Sequence, residues 1–124
     1  MKAVIPINEK SQKSKVSTSF GRAAYFFLYD TESGQEHFVE NTAANSSGGA
    51  GIQAAQQVVD LDAACVVVPQ CGKNAAKVLQ AAGVTLYKTN SSSLAKTIED
   101  LKEERLAVLW RPHDGYHGEF SGGI

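Results

Sequence analysis

Hydrophobic and polar positions follow two different patterns along the chain. The first begins at Lys2-Ala3-Val4-Ile5-Pro6-Ile7, an apolar run rich in β-branched residues and stopped by Asn8-Glu9-Lys10, which predicts a buried strand. Residues 9–15 are polar, carry three lysines and suit an exposed loop. Residues 24–30 are aromatic and apolar. They are followed, after Thr31-Glu32-Ser33-Gly34-Gln35, by a second short run at 36–40. Gly34 tolerates a positive φ, so the two runs predict a hairpin.

From residue 43 the period changes. Residues 43–51 are small and glycine-rich, and in 52–61 the apolar positions 52, 55, 58, 59 and 61 broadly follow a helical repeat. Residues 64–68 are unbroken in their hydrophobicity, as a central strand covered on both faces requires. Residues 74–82 are alanine-rich and end at Gly83, a helix with a glycine stop. A fifth strand is expected at 84–87, and Ser91-Ser92-Ser93 offers N-caps for a last helix over 94–104. The order β-β-β-α-β-α-β-α predicts an α/β fold with three helices and a five-stranded mixed sheet: an antiparallel meander continued by parallel strands. The domain is read as residues 1–109, and the aperiodic, glycine-rich 110–124 as a flexible tail unless a ligand or partner orders it.

Composition narrows the function classes. The 124 residues suffice for one domain, and 43% hydrophobic with 20% charged residues is a globular mixture. A formal net charge of -1 provides no positive field for nonspecific nucleic-acid binding. The apolar run at the start is too short for a signal peptide, and no stretch approaches the roughly 20 residues of a membrane span, so no membrane partner and a cytoplasmic location are expected. Cys65 and Cys71 form neither a CxxC pair nor a multi-cysteine zinc site, so each thiol acts singly.

Cys71 lies between the expected central strand and the next helix, at the carboxyl end of the strand, where open α/β sheets bind ligands. A helix start there favours a thiolate, the form that binds soft metals; the same position also suits a small hydrophobe. Cys65, within 64–68, reads as core. Arg22 suits either an anionic cluster or phosphate, or backbone carbonyls, and Phe20 suits a core plug. Ser46-Ser47-Gly48-Gly49-Ala50-Gly51 presents N–H groups at a helix start, an anion-holding arrangement, without the GxxxxGK[ST] or GxGxxG of nucleotide sites. His113 and His117, with Asp114 and Glu119 nearby, are either metal ligands in the tail or an incidental surface pair. His37 reads as a strand side chain.

Four segments carry a family resemblance: Lys2-Ala3-Val4-Ile5-Pro6-Ile7, Val16-Ser17-Thr18-Ser19-Phe20-Gly21-Arg22-Ala23, Gly49-Ala50-Gly51 and Gln70-Cys71-Gly72-Lys73-Asn74-Ala75. In order and spacing, from Lys2 to about Tyr87, they resemble the dinitrogenase iron–molybdenum cofactor biosynthesis family. The resemblance implies a ribonuclease H-like fold. It also implies traffic in an iron–sulfur or molybdenum-containing cluster, passed between metallocluster donor and acceptor proteins. With these loops converging on one side of the sheet, Ser17, Ser19, Phe20, Gly21, Arg22, Gly49, Gly51, Cys71 and Gly72 are the candidate cofactor-binding residues, with Cys71 also a candidate metal ligand. The family often has His where this chain has Ser19, and often an apolar residue where it has Cys71. The expected function is that of a non-catalytic cluster carrier, and the alternative is a regulatory or interaction module of the same fold that binds no cluster. A metal-dependent hydrolase would need acidic side chains in Lys2–Ile7 and 64–68, and neither segment has one.

Overall fold

The computed structural model describes residues 1–112. The first strand, β1 (Lys2–Ile7), pairs antiparallel with β2 (Tyr25–Asp30), which pairs antiparallel with β3 (Glu36–Glu40). On its other side β1 pairs parallel with β4 (Cys65–Val68), and β4 pairs parallel with β5 (Thr85–Lys88). A sixth strand, β6 (Ala107–Trp110), closes the order β3-β2-β1-β4-β5-β6. The helices are α1 (Ala50–Asp60), α2 (Lys73–Ala81) and α3 (Leu94–Lys102).

β1 and β4 lack polar alternation because both faces of the sheet are covered. Val4, Val66 and Val68 belong to a core with Ala54, Ala55 and Val58 of α1 and Ala76 and Leu79 of α2. Ala3, Ile5, Ile7, Cys65 and Val67 project to the other face, into a core with Leu94 and Leu101 of α3. This is the two-residue period of a strand, read in a segment where every position is apolar. Small residues on α1 and α2 let these two helices lie close to the sheet and to each other.

All three helices end in the same way. The residue after each C-cap is Asp62, Gly83 or Glu104, at φ 65°, 75° and 55°. The next N–H returns to a carbonyl one turn back: Ala63 to Val58 at 3.5 Å, Val84 to Leu79 at 2.9 Å and Arg105 to Asp100 at 2.8 Å. This is the Schellman arrangement. Only Gly83 adopts the left-handed conformation without a Cβ penalty, which is why only this stop was visible in the sequence.

The sheet has six strands where five were expected, and the element order gains a strand after α3. β6 is a four-residue edge strand whose Ala107 and Val108 are exposed, so it gives little apolar periodicity to read. Its last residue corrects the expected boundary between core and tail. Trp110 is 5% exposed, lies opposite Leu86 of β5 and joins the α1/α2 core. Trp110→Ala is therefore expected to cost about 3 kcal/mol through lost burial and the cavity left behind. Urea unfolding followed by circular dichroism measures this, and a loss below about 1 kcal/mol would show that β6 is dispensable to the core.

Candidate functional site

The geometry of the site starts at Pro6. Lys2 O accepts from Ala64 N–H at 2.8 Å, and backbone alternation turns the Pro6 nitrogen toward β4 as well. Proline has no N–H, so the β1–β4 ladder, which pairs Ala3 with Cys65 and Val4 with Val66, has no donor there to continue it. Instead Pro6 O accepts from Ser17 N–H at 2.8 Å, and Val16 bridges Ile7. The segment after β1 thus lies against the end of that strand on its β4 side. This is also where strand order reverses, since the chain runs from β1 outward to β2 and β3 and later returns to β4. A crevice at the carboxyl ends of the strands is expected at such a point.

Three loops wall a cleft of about 680 Å³ there: residues 18–22, 49–52 and 70–75. The first wall is held in shape locally. Ser17 Oγ donates to Ser19 O at 3.0 Å and accepts from Ser19 N–H at 3.2 Å, and Ser19 Oγ accepts from Arg22 N–H at 3.3 Å. Phe20 is 4% exposed, with its ring centroid 5.5 Å from that of Phe26. Gly21 meets the second wall without a side chain between them; a Cβ on it would lie 2.7 Å from Gly51 N.

The second and third walls are helix starts. Gly49, at φ 69°, caps α1, and extended Gly72 caps α2; neither supplies a side-chain acceptor to the first-turn N–H groups. α3, away from the cleft, is capped in the ordinary way, with Ser93 Oγ accepting from Lys96 N–H at 3.2 Å. Gln70 ties the third wall to the first, its Nε2 donating to Thr18 O at 3.1 Å. Arg22 and Lys73 are the charged residues among those lining the cleft. Uncapped N–H groups, two helix dipoles and two cations together favour an anion.

The structure brings together most of the residues singled out from the sequence. Ser19, Phe20, Gly21, Arg22, Gly49, Gly51, Cys71 and Gly72 line the cleft, and Ser17 is buried behind it. Arg22 resolves toward the backbone alternative: its guanidinium donates to Ala44 O at 3.1 Å and Ser46 O at 2.5 Å. Of the two readings of Cys71, burial favours the small hydrophobe over the thiolate. The side chain is partly buried against the α1/α2 core, and desolvation pushes the thiol up to about 11. Cys65 is core, 1% exposed, and burial pushes it up to about 12.

His113 and His117 lie outside the described residues. Among the described residues no group of three or more His, Cys, Asp or Glu side chains could hold a metal ion. Lys73 and Gln70 were quoted from the sequence only as parts of a landmark. Their position directly after the central strand is the signal that could have marked them.

Fold and cleft define a small α/β domain with a ligand crevice at the switch point of its sheet. The family model described as "dinitrogenase iron-molybdenum cofactor" matches residues 1–104, and the chain belongs to that family. A Thermotoga protein solved by NMR under the provisional name NifB protein is 37% identical, with 87% of this chain and 92% of that one covered and a TM-score of 0.76. The apo orange protein of Desulfovibrio gigas shares the fold, with a TM-score of 0.82 at 24% identity over 89% of this chain and 93% of that one. An uncharacterised protein of Methanocaldococcus jannaschii is 28% identical over 109 residues, 86% of this chain and 89% of the relative.

Gly21→Ala forces backbone apart at Gly51 and is expected to destabilise by about 1–3 kcal/mol, read as a lowered urea midpoint; an unchanged midpoint would show that the two walls move freely. In the ligand-free protein, alkylation of Cys71 by iodoacetamide should rise about tenfold per pH unit toward about 11, because the reactive thiolate is scarce below that value. A rate already level near pH 7, measured by intact mass, would show a thiolate instead. The sign for stability follows: the unfolded thiol ionises near 9 and the folded one later, so this contribution is complete below pH 9 and declines from there toward 11.

Proposed function

We propose that this chain is a non-catalytic carrier in cofactor assembly, holding an anionic metal–sulfur cluster of the iron–molybdenum type in the cleft between β1 and β4. The observation that carries this reading is the pairing of two helix starts without side-chain caps on a single cleft whose lining charges, Arg22 and Lys73, are both positive. Family membership and the NifB name given to the Thermotoga relative support the same reading.

In this reading the cluster is cargo rather than a resident cofactor. Backbone N–H groups at the starts of α1 and α2, with Lys73, offset its charge, and Arg22 acts by holding the loop that leads into α1. Cys71 supplies one soft donor. Its thiol is protonated at neutral pH in the empty cleft, so ligation releases a proton and uptake strengthens as pH rises. Antiparallel strands continued by parallel ones suit the ribonuclease H-like scaffold that the family resemblance implies. Two unpaired thiols suit a reducing cytoplasm. The donor and acceptor proteins would meet the open side of the cleft.

Anaerobic reconstitution with iron, sulfide and molybdate, followed by metal analysis and visible absorption, tests this. Wild type is expected to retain metal with a visible band, Lys73→Glu to retain about a tenth as much, and Cys71→Ala to bind about tenfold more weakly. No chromophore in wild type removes the carrier reading and leaves a regulatory or interaction module, for which the serine at position 19, where the family often has histidine, already speaks. Equal binding by wild type and Cys71→Ala keeps the carrier and removes Cys71 as a ligand.

A further inference from the structure

The 18–22 loop and the first turn of α1 meet backbone to backbone at Gly21 and Gly51. Neither glycine has a side chain to set their separation, so something outside the contact must set it. Asn41 does. It follows directly on β3, is 3% exposed and lies behind the cleft rather than in its lining. Its Nδ2 donates to Gly21 O at 3.1 Å and to Ala23 O at 2.8 Å, while its Oδ1 accepts from Ala43 N–H at 3.0 Å. Its main chain is engaged on the same two segments: Asn41 N–H donates to Ala24 O at 3.1 Å, and Asn41 O accepts from Ala44 N–H at 3.2 Å.

One buried side chain therefore fastens the Phe20–Ala23 turn to the segment that delivers α1. Both amide protons and the amide oxygen are used, a pattern that only a carboxamide can satisfy here. Arg22 makes the reciprocal link from the turn to Ala44 O and Ser46 O, but it is exposed and water competes for its bonds. The low dielectric around Asn41 makes its bonds the stronger of the two sets.

We propose that Asn41 is a positioning residue: it sets the spacing between the first two walls of the cleft, and ligand holding depends on it although it does not touch the ligand. The binding part rests on the carrier reading; the spacing part does not. Asn41→Asp keeps the shape, replaces both N–H donors with an oxygen facing two carbonyls, and so tests the chemistry rather than the volume. Gln57→Ala is the comparison, since Gln57 holds the same loop through Thr42 and Glu40 without reaching the turn.

Amide hydrogen exchange followed by NMR on the ligand-free full-length chain separates a local latch from general stability. In Asn41→Asp the amides of Arg22 and Gln53 should exchange faster by a factor at least about ten times larger than the one seen at Val66 and Val67 in β4, which report the global loss of stability. Gln57→Ala should leave Arg22 at its wild-type rate. After iron, sulfide and molybdate reconstitution at a temperature where both proteins are folded, Asn41→Asp should retain about a tenth of the wild-type metal or less. Unchanged exchange at Arg22 and Gln53, or equal acceleration at Val66 and Val67, overturns the proposal, as does full metal retention with accelerated exchange. If wild type itself retains no metal, the carrier reading falls and exchange alone decides the latch. Should the aspartate variant not fold, Asn41→Ser, which also lacks the two amide donors, is read by the same criteria.

Discussion

The N–H that Pro6 lacks is the constraint on which the rest of the site depends. A central strand normally continues its ladder to the end, because each buried backbone donor or acceptor left unmade costs about 1–3 kcal/mol. β1 cannot do so on its β4 side. The Pro6 carbonyl takes Ser17 N–H instead, the following chain lies along the end of β1, and the turn containing Phe20, Gly21 and Arg22 is set at the mouth of the parting between β1 and β4. A proline that would disrupt an ordinary central strand here marks where the sheet ends and the cleft begins.

The electrostatics of the cleft follow from the same layout. Parallel strands require crossover helices, and both crossovers on the α1/α2 face begin at the carboxyl end of the sheet, so two positive helix ends meet in one place. Glycine at both N-caps leaves the first-turn N–H groups to whatever occupies the cleft. With Arg22 engaged by the carbonyls of Ala44 and Ser46, the proposed carrier would rely on Lys73 for direct charge contact and on Cys71 for a single soft donor. A site of this kind suits a preformed anion, which needs charge and hydrogen bonds, better than a bare cation, which would need several anionic ligands brought together.

Much of this was legible in the sequence. The parallel part of the sheet declared itself through the unbroken apolar residues from Ala64 to Val68, and the helix stop at Gly83 through its residue type. The stops at Asp62 and Glu104 did not, since neither residue advertises a left-handed conformation. β6 was missed because half of it faces solvent. At the site, three of the four landmark segments coincide with the walls of the cleft, and two of them hold a glycine the geometry requires, Gly21 for its backbone contact and Gly49 for its positive φ. Cys71 was left between thiolate and small hydrophobe, because a helix start favours the first and burial the second, and the extent of its burial against the core is visible only in the structure. Asn41 escaped altogether: an asparagine after a strand resembles any turn residue, and its partners at Gly21 and Ala23 lie across a turn that the sequence does not close.

The acid-free strands bear on what the scaffold can do. Two-metal phosphoryl chemistry needs carboxylates at the carboxyl ends of central strands, where they bind cations and offset charge in the transition state. Here β1 and β4 carry none, no carboxylate lines the cleft among the described residues, and the charges that do line it would repel a divalent cation. A crevice of this kind suits hydrolysis when lined with acidic residues and anion holding when lined with glycines and a lysine, and the difference lies in a handful of side chains rather than in the fold. The positive lining of the cleft is thus the physical basis for the proposal that this chain holds anionic cargo, and it makes Lys73, more than the half-buried thiol beside it, the residue on which that proposal turns.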